Sequence, residues 1–588
     1  MGLGVLEPSK SEKVPGTSFV YDDDSRPTEH GEIDSRLKYD TRGPVPIILV
    51  PQPSDDPNDP LNWPLWKRDL ILVILSILSV IASTLSPLLA ANTVTLSLLF
   101  QTTFTKMALA TGYHLLGVGV AGFLFVASAR VWGKRHLYLL GTVLIIASSA
   151  WGGYTGYNYK SLLWARIIQG VGLAPFEALV NASVGDLYFV HERGKRMALS
   201  NLALFGGAFF TPILVGKITH TIGWEWSFWF IAIFCGAMLP FLFFFVPETA
   251  FRRDDIFNTD FRGAESGQHK AGSEADAGHG PGKSPTSSIP DTIEKQPGTF
   301  TEGRSGQSPT SSIPDTKEKQ PGTFTEGRST VTPPPKVRFA RSLLPFNGRK
   351  TDDSLFKLIL RPLPLFLHPA VLWACLIQGT LIGWTVMIGV VLAAIFLGPP
   401  LWFTEVQTGY MYTGPFVGAV LGFVLAGILA DWSMNAMVKK NKGVYEPEFR
   451  IVLVVAQMVV GCAGLYGFGI TANDVKRYGW FWPDFFFALE VMGMVLGAVA
   501  SALYIVDAHR EIAVEAFTCL LIFKNVFSFG LTYGAYNWIV AAGITKVFYI
   551  IASVQVGICL LSIPMYIFGK KNRAFMSRHD ILKMTHLW

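Results

Sequence analysis

Cysteines and charged residues are both scarce in this sequence, and each shortage excludes a class of protein. The 588 residues include only 5 cysteines. They stand singly inside apolar runs, at Cys235, Cys375, Cys462, Cys519 and Cys559. Isolated cysteines provide neither the disulfide framework of a small secreted protein nor a zinc-binding spacing, so we interpret them as packing residues. Charged residues make up 16% of the chain and crowd into its tails and loops.

Motifs of enzymes, metal sites and nucleic-acid binding are missing as well. We find no phosphate-cradling P-loop, which excludes direct use of ATP. The histidines have no metal-ligand spacing, so we expect no metal and no cofactor. We treat them as interface or cap residues, namely His114, His136, His191, His220, His368 and His509. The net charge of +6 does not require a nucleic-acid partner, because basic loop ends account for much of it. The sequence predicts a protein that is not an enzyme.

Apolar residues are abundant, at 50% of the chain. They gather in runs of about 20, the length that crosses ~30 Å of hydrocarbon. We predict twelve membrane helices near residues 69–92, 108–129, 137–156, 162–185, 197–218, 226–246, 369–396, 409–431, 451–471, 484–506, 513–536 and 546–568. A long polar interruption follows the sixth helix. This 6+6 layout predicts an all-α membrane protein with two six-helix bundles, 69–248 and 361–568.

The placement of basic residues predicts the orientation in the membrane. Lysine and arginine are more frequent on the helix flanks that share a side with the N-terminus than on the opposite flanks. By the positive-inside rule, the N-terminal tail 1–68 and the C-terminal tail 569–588 face the cytoplasm. We expect a multi-pass protein of the cell membrane, with the vacuolar membrane as the alternative.

Residues 249–360 are a different kind of sequence, rich in Ser, Thr, Pro, Gly and charges. The segment SPTSSIPDTIEKQPGTFTEGRS at 284–305 recurs at 308–329 with one change, Ile293 to Lys317. Two copies without a hydrophobic face do not make a solenoid. We predict a disordered cytoplasmic linker that contains a tandem duplication.

Ionisable residues interrupt the apolar run of the fourth helix. Arg166 and Glu177 are about three turns apart, so both project from one helix face at a separation of roughly 16 Å. Asn181 follows Glu177 at i+4 and continues the polar stripe. Ionisable groups at bilayer depth are costly and normally face a bundle interior or a wet cavity. We interpret this polar face as a transport pathway.

The same stretch resembles a known family. Arg166-x-x-Gln169-Gly170-x-Gly172-x-Ala174 matches the fourth-helix motif of the major facilitator superfamily. The residues from Asp186 to Gly194 look like the next loop in the superfamily's fungal drug-efflux and polyamine branch. The segment DPNDPLNW before the first helix and VPETA after the sixth are similar to that branch too. The resemblance implies the major facilitator fold and alternating access to a small organic substrate, and we expect a monomer.

The resemblance also points to gate residues. Arg130 stands where the superfamily has an aspartate, which weakens the expectation of the usual inner-gate lock in the first half. The equivalent turn of the second half keeps Asp431. Pro212 lies in a stretch similar to the glycine–proline motif of the superfamily's antiporters, although a packing kink would explain it equally well. Four loop charges complete the candidate gate and conformational residues: Asp186, Glu192, Arg193 and Asp507.

The second half carries its own polar residues inside apolar runs. Glu490 of helix 10 and Lys524 of helix 11 could pair across adjacent helices. The alternative is that such a pair only holds the C-terminal bundle together. Together with Arg166, Glu177 and Asn181, the candidate substrate and proton pathway contains Gln378, Glu490, Lys524 and Asn525.

Two kinds of function remain open, a proton-coupled secondary transporter and a non-transporting sensor with the same fold. Within transport, export of a drug or secondary metabolite fits the partial antiporter motif and an aromatic-rich cavity. Uptake of a polyamine or another organic cation fits the acidic residues Glu177 and Glu490. We predict that Glu177 couples protons to transport. The alternative is that it only hydrogen-bonds a neighbouring helix.

Overall fold

The computed structural model describes residues 3–7, 14, 16–19, 38–40, 47–49, 51–252, 335–442 and 444–587. The tandem duplication and most of the predicted linker lie outside these residues, so the prediction of disorder there stays a prediction.

Twelve long helices run through the described residues. The first six are α1 (Leu65–Ser83), α2 (Phe104–Trp132), α3 (Arg135–Gly153), α4 (Tyr159–Leu187), α5 (Val190–Ile222) and α6 (Glu225–Phe245). The second six are α7 (Pro369–Phe396), α8 (Thr413–Lys440), α9 (Leu453–Asn473), α10 (Phe481–Ala508), α11 (Ala513–Ala542) and α12 (Ile544–Leu560), which continues as Ser562–Arg578. Shorter α-helices are Thr93–Leu99, Phe339–Ser342, Leu355–Leu360, Pro362–Leu365, Glu405–Tyr410, Val475–Tyr478 and Ile581–Met584. Three 3₁₀ turns lie at Pro60–Asn62, Pro447–Val452 and Arg510–Ile512.

Eleven helical segments of the described residues are long and apolar enough to cross a membrane. The remaining long helix, α1, has three charged residues in its first turns, Lys67, Arg68 and Asp69. It ends at Ser83, earlier than the predicted 92, and residues 84–92 form turns. The sequence there contains Pro87, which lacks the backbone N–H that a continuing helix would need.

Each half of the chain has its own hydrophobic core. One core consists almost entirely of residues between Ile71 and Val246, and two others are built mainly from residues between Leu365 and Leu582. This division gives the two bundles that the sequence predicted, α1–α6 and α7–α12. The fold is an all-α membrane fold of twelve helices in two groups of six.

The bundles meet along two helix pairs, α2 with α11 and α5 with α8. Gly112 of α2 lies against Thr532 of α11, so closely that a Cβ on Gly112 would stand 2.1 Å from the threonine Oγ1. The lack of a side chain at Gly112 therefore permits the close approach of α2 and α11. We call the end of the fold that holds both chain termini the terminal end, and the other the opposite end.

An N-terminal strap, the described residues between Leu3 and Phe19, crosses to the second bundle at the terminal end. Its strand β1 (Ser18–Phe19) pairs antiparallel with β4 (Val444–Tyr445), while β2 (Tyr39–Asp40) pairs with β3 (Ile47–Ile48). Val5 is buried in a cluster with Val438, Tyr445 and Phe449. The strap is thereby bound to the loop between α8 and α9.

Polar contacts hold the N-terminal strap to the same bundle. The Leu6 amide donates to the Ile567 carbonyl at 2.9 Å, and Lys570 pairs with Glu7 at 2.8 Å. The Thr17 hydroxyl donates to Glu446 at 2.7 Å. The strap therefore bridges the loop before α9 and the helix that continues α12.

Candidate functional site

The polar residues in the middle of the fold centre on an ion pair between the bundles. Lys524 of α11 donates to the Glu177 carboxylate of α4. The exposed fractions of the two side chains are 13% and 14%. Pro175 lies inside α4, two residues before Glu177, and its missing N–H leaves one helix carbonyl without its usual partner. The pair is thus mostly screened from solvent and joins one helix from each half.

Glu490 and Lys524 are not paired, so the pairing considered from the sequence is wrong. Glu490 is fully buried within the second bundle, where its Oε1 accepts a 2.8 Å hydrogen bond from Thr385 of α7. Its other oxygen, Oε2, has no hydrogen-bond partner among the described residues. The cation expected for Glu490 is bound by Glu177 instead, which leaves a neutral hydroxyl as the hydrogen-bond donor to Glu490.

Arg166 is fully buried and joins α4 to the end of α1. Its guanidinium donates to the Leu85 carbonyl at 2.7 Å, to Gln169 Oε1 at 3.0 Å and to the Ser86 carbonyl at 3.4 Å. Leu85 and Ser86 lie in the turns that follow α1. Arg166 therefore binds carbonyls beyond the end of that helix, while Glu177 on the same helix bonds to the other bundle.

His114 of α2 is buried beside Arg166, so its interpretation as an interface or cap residue is wrong. It is fully buried, with Nδ1 3.2 Å from the Arg166 carbonyl and Nε2 3.3 Å from the Ser86 hydroxyl. Gly170 packs against it, because a Cβ there would stand 2.1 Å from the His114 carbonyl oxygen. The position of His114 in the middle of an apolar predicted helix is the feature of the sequence that could have indicated its burial.

Three further pathway candidates make contacts within their own bundles. Asn181 donates to Asn201 at 2.8 Å and accepts from Ser200 at 2.7 Å, which links α4 to α5. Gln378 of α7 accepts from a serine of α10 at 3.3 Å. Asn525, next to Lys524, donates to a carbonyl of its own helix at 3.0 Å. Only Glu177 and Lys524 of the seven pathway candidates are joined directly across the bundle interface by a hydrogen bond among the described residues.

A second ion pair joins the bundles at the terminal end. Arg130 of α2 lies 2.6 Å from Glu515 at the start of α11, and Arg361 approaches the same carboxylate at 3.9 Å. Arg130, which replaces the superfamily's aspartate, is thus matched by an acidic residue across the interface. Sequence reasoning did not select Glu515, which lies in the first turn of the predicted helix 513–536, directly after a charged turn.

The other gate candidates form contacts inside one half. Asp186 pairs with Lys134 at 2.6 Å, and Glu192 pairs with Arg68 at 3.2 Å. Arg193 donates to backbone carbonyls at the end of α4. In the second half, Asp507 of α10 pairs with Arg450 at 3.1 Å and accepts a hydrogen bond from Tyr445. Asp431 is exposed on α8.

The bundles are also joined at the opposite end. Thr95 donates to Glu405 at 2.7 Å, and His220 of α5 lies 3.7 Å from the same carboxylate. Pro212 of α5 packs against the helix Glu405–Tyr410, since a Cβ at Gly409 would be 2.5 Å from the Pro212 carbonyl oxygen. Contacts across the interface therefore occur at both ends and in the middle.

Within the part of the chain that the structure describes, no group of three or more His, Cys, Asp or Glu side chains could hold a metal ion.

Comparison with known proteins agrees with this fold. Residues 70–517 match the family model of the Major Facilitator Superfamily. Protein HOL1 of Saccharomyces cerevisiae is 26% identical over 577 residues, which cover 96% of each chain. The MFS antiporter QDR3 of Candida albicans is 29% identical over 156 residues, 26% of this chain and 22% of that protein. The crystal structure of a D-xylose-proton symporter aligns with a TM-score of 0.53 at 14% identity, covering 86% of this chain and 99% of the symporter. The resemblance to fungal transporters that the motifs predicted is confirmed, and the chain belongs to the major facilitator superfamily.

Proposed function

We propose that this membrane transporter is a proton-coupled secondary transporter that exports a small organic molecule by alternating access. The observation that carries the proposal is the ion pair between Glu177 and Lys524. This ion pair lies in the middle of the fold, and it would be lost if Glu177 took up a proton.

Protonation of Glu177 would remove the negative charge that holds Lys524. A mostly buried pair is costly to break by removing one charge, because the other charge then lacks compensation. The proton would therefore favour states in which Lys524 reaches water or a substrate. Coupling requires two conformations with different proton affinity, which a bound substrate can bias.

The contacts at the two ends would act as alternating gates. Arg130 and Glu515 close the terminal end, whereas Thr95 and Glu405 close the opposite end. Alternating access requires that only one of these sets opens at a time. Separation of α2 from α11 would break the first set, and separation of the helix Glu405–Tyr410 from the first bundle would break the second.

Export is the direction that we favour. The glycine–proline stretch around Pro212 resembles the antiporter motif, and Pro212 packs at the bundle interface. One relative, QDR3, is named an antiporter. Uptake of a polyamine or another organic cation is the second candidate, supported by Glu490, whose Oε2 has no partner among the described residues.

We propose that both termini face the cytoplasm and that the protein acts as a monomer in the cell membrane. The structure has both terminal segments at one end, and the basic flanking residues favour the cytoplasm for that end.

The decisive experiment measures substrate-dependent proton movement in sealed vesicles that contain a pH-sensitive dye. A panel of aromatic drugs and polyamines is tested with the native protein and with Glu177→Gln, which keeps the side chain's shape but cannot ionise. We expect the native protein to exchange protons for a substrate, and Glu177→Gln to bind a neutral substrate but lose pH-driven accumulation. Glu225→Gln, at the start of α6, is the matched control and should behave as the native protein.

Two outcomes would contradict the proposal. If no compound in the panel moves while the protein is folded, a non-transporting sensor is favoured. If Glu177→Gln accumulates substrate with an undiminished response to the proton gradient, Glu177 is not the coupling residue, and Glu490 becomes the next candidate.

A further inference from the structure

The last part of the segment before α7 has an unusual composition. Residues 335–350, PKVRFARSLLPFNGRK, contain five basic side chains and no acidic one. The basic residues are Lys336, Arg338, Arg341, Arg349 and Lys350. We call residues 335–350 the basic segment. Of its cations, Lys336, Arg338, Arg341 and Lys350 form no ion pair with a described acidic side chain.

The basic segment is bound to the first half of the chain at Asn58, at the end of α2 and at the start of α3. The Val337 amide donates to Asn58 at 2.8 Å. The Arg135 guanidinium donates to the Leu343 carbonyl at 3.1 Å, and the Lys350 amide donates to the Val131 carbonyl at 2.7 Å. Arg135 and Val131 are at the termini of membrane helices, so we expect the segment to lie at the depth where the hydrocarbon gives way to headgroups.

Apolar side chains of the basic segment point into the surroundings rather than into the protein. The exposed fractions are 65% for Phe339, 55% for Phe346 and 50% for Leu344. The Phe346 ring stacks on His136 with one face, at a centroid distance of 4.8 Å. Exposed aromatic residues among cations are typical of chain that lies in a membrane interface.

The surface continues on both sides of the basic segment. Trp63 lies just before α1, with Lys67 at 3.8 Å from its ring, and Lys67 and Lys336 together reinforce the positive charge there. Before α7, Leu363 and Leu367 have exposed fractions of 52% and 79%. The exposed apolar residues thus extend from the basic segment to the start of α7, the first helix of the second bundle.

We propose that the basic segment docks on the anionic phospholipid leaflet of the membrane that the protein spans. Its five cations would contact phosphate and carboxylate headgroups, while Phe339, Leu344 and Phe346 enter the boundary with the acyl chains. Positive charge and apolar area together match an anionic lipid surface, because the cations attract its headgroups and the apolar side chains, which water or a purely acidic peptide would leave uncovered, are buried at the acyl-chain boundary. The docking would fix the path of the last part of the linker before α7.

The test uses the full-length protein in lipid nanodiscs, with an environment-sensitive fluorophore on Leu344→Cys. The five native cysteines are buried, so the introduced thiol is the accessible one. We expect blue-shifted emission and quenching by brominated lipid in discs that contain phosphatidylserine, and a weaker effect in pure phosphatidylcholine. High salt should reverse the difference, because it screens exposed charges.

Two variants separate docking from a general surface effect. Replacing all five cations of the basic segment by glutamine should abolish the dependence on phosphatidylserine. The control replaces Lys439, Lys440 and Lys442, beyond the end of α8, and should retain it. Identical emission in neutral and anionic discs would overturn the proposal, as would a dependence that survives loss of the five charges. A response to soluble polyglutamate alone would favour an acidic protein partner and would also overturn it.

Discussion

Glu177 and Lys524 form an ion pair between the two bundles although 347 positions separate them in the chain. Each side chain is mostly buried, and each comes from a helix of a different half. The pair therefore depends on how closely the two bundles lie together, and it can be altered by substitution without changing the hydrophobic core of either bundle.

Replacing Lys524 by methionine should destabilise the protein, because Glu177 is left with an uncompensated charge. We expect a loss of about 3 kcal/mol, the low end for a buried pair, since both side chains retain some exposure. The double variant Glu177→Gln/Lys524→Met should recover most of this loss. Thermal unfolding in detergent of the single and double variants measures the coupling. Additive effects would show that the two residues act independently.

Charge changes at the terminal end should open that end selectively. Glu515→Gln removes the carboxylate that Arg130 and Arg361 share, although Arg361 keeps Asp353 at 3.1 Å, whereas Arg130→Gln removes only one cation. If the ion pair contributes about 1 kcal/mol to closing the terminal end, its loss shifts the equilibrium between the closed and open states roughly fivefold. Thiol labelling of Val126→Cys, which lines the small cavity beside Arg130 and Glu515, measures the opening. Labelling should rise more for Glu515→Gln, and the exchange Arg130→Glu/Glu515→Arg should reverse much of it. Equal labelling in all variants would exclude a gate here.

Impermeant thiol reagents can test the orientation. Cysteine tags at residues 280 and 580 should be protected in sealed cells, because both positions are predicted to be cytoplasmic. A tag between Thr471 and Tyr478, at the opposite end of the fold, should react. External labelling at residue 280 would contradict the twelve-helix orientation.

Acidification should destabilise the terminal end through two adjacent histidines. The rings of His368 and His509 lie 4.6 Å apart, and burial lowers the pKa of His368 to about 4 although Asp580 opposes the shift. Burial, His368 and Arg573 together hold the pKa of His509 well below its ordinary value. Both rings are therefore neutral in the folded protein.

An unfolded histidine binds a proton near pH 6.5, so the unfolded chain takes up protons first. The contribution of neutral His368 to the free energy of unfolding is fully present above about pH 6.5. It is lost as the pH falls towards 4, and the loss is about 3 kcal/mol at most. Unfolding temperatures between these limits should fall less for His368→Gln than for the native protein. If the unfolding temperatures of the two proteins fell in parallel with pH, His368 would not contribute to the decline.

Removing the N-terminal strap should weaken the second bundle without preventing membrane insertion. Deletion of residues 1–19 exposes the cluster around Val5 and breaks the contacts to Lys570 and Glu446. Burial of Val5 alone corresponds to about 2 kcal/mol. The unfolding temperature should drop, and Glu7→Gln, which loses one exposed ion pair, should drop far less. An unchanged unfolding temperature after deletion would mean that the strap adds no stability.

The apolar runs were sufficient to predict the helices and the two bundles, but not the partners of the charges. Counting residues gives the depth of Lys524 along its helix. It does not say which neighbour faces it, and Glu177 rather than Glu490 proved to be the partner. Glu515 looked like an ordinary charge at a helix end because its partner is 385 positions away. The two-residue strand β1 is too short to produce a periodic pattern.

The contacts of the strap impose an order on the making of the protein. Leu3 and Glu7 are translated 563 positions before Tyr566 and Lys570, which bind them. The strap can therefore close only after the second bundle, including α12 and the helix that continues it, has been translated and inserted. A protein stalled in the second bundle retains a loose N-terminus. The docked strap is thus a physical sign that the second bundle has been synthesised and inserted.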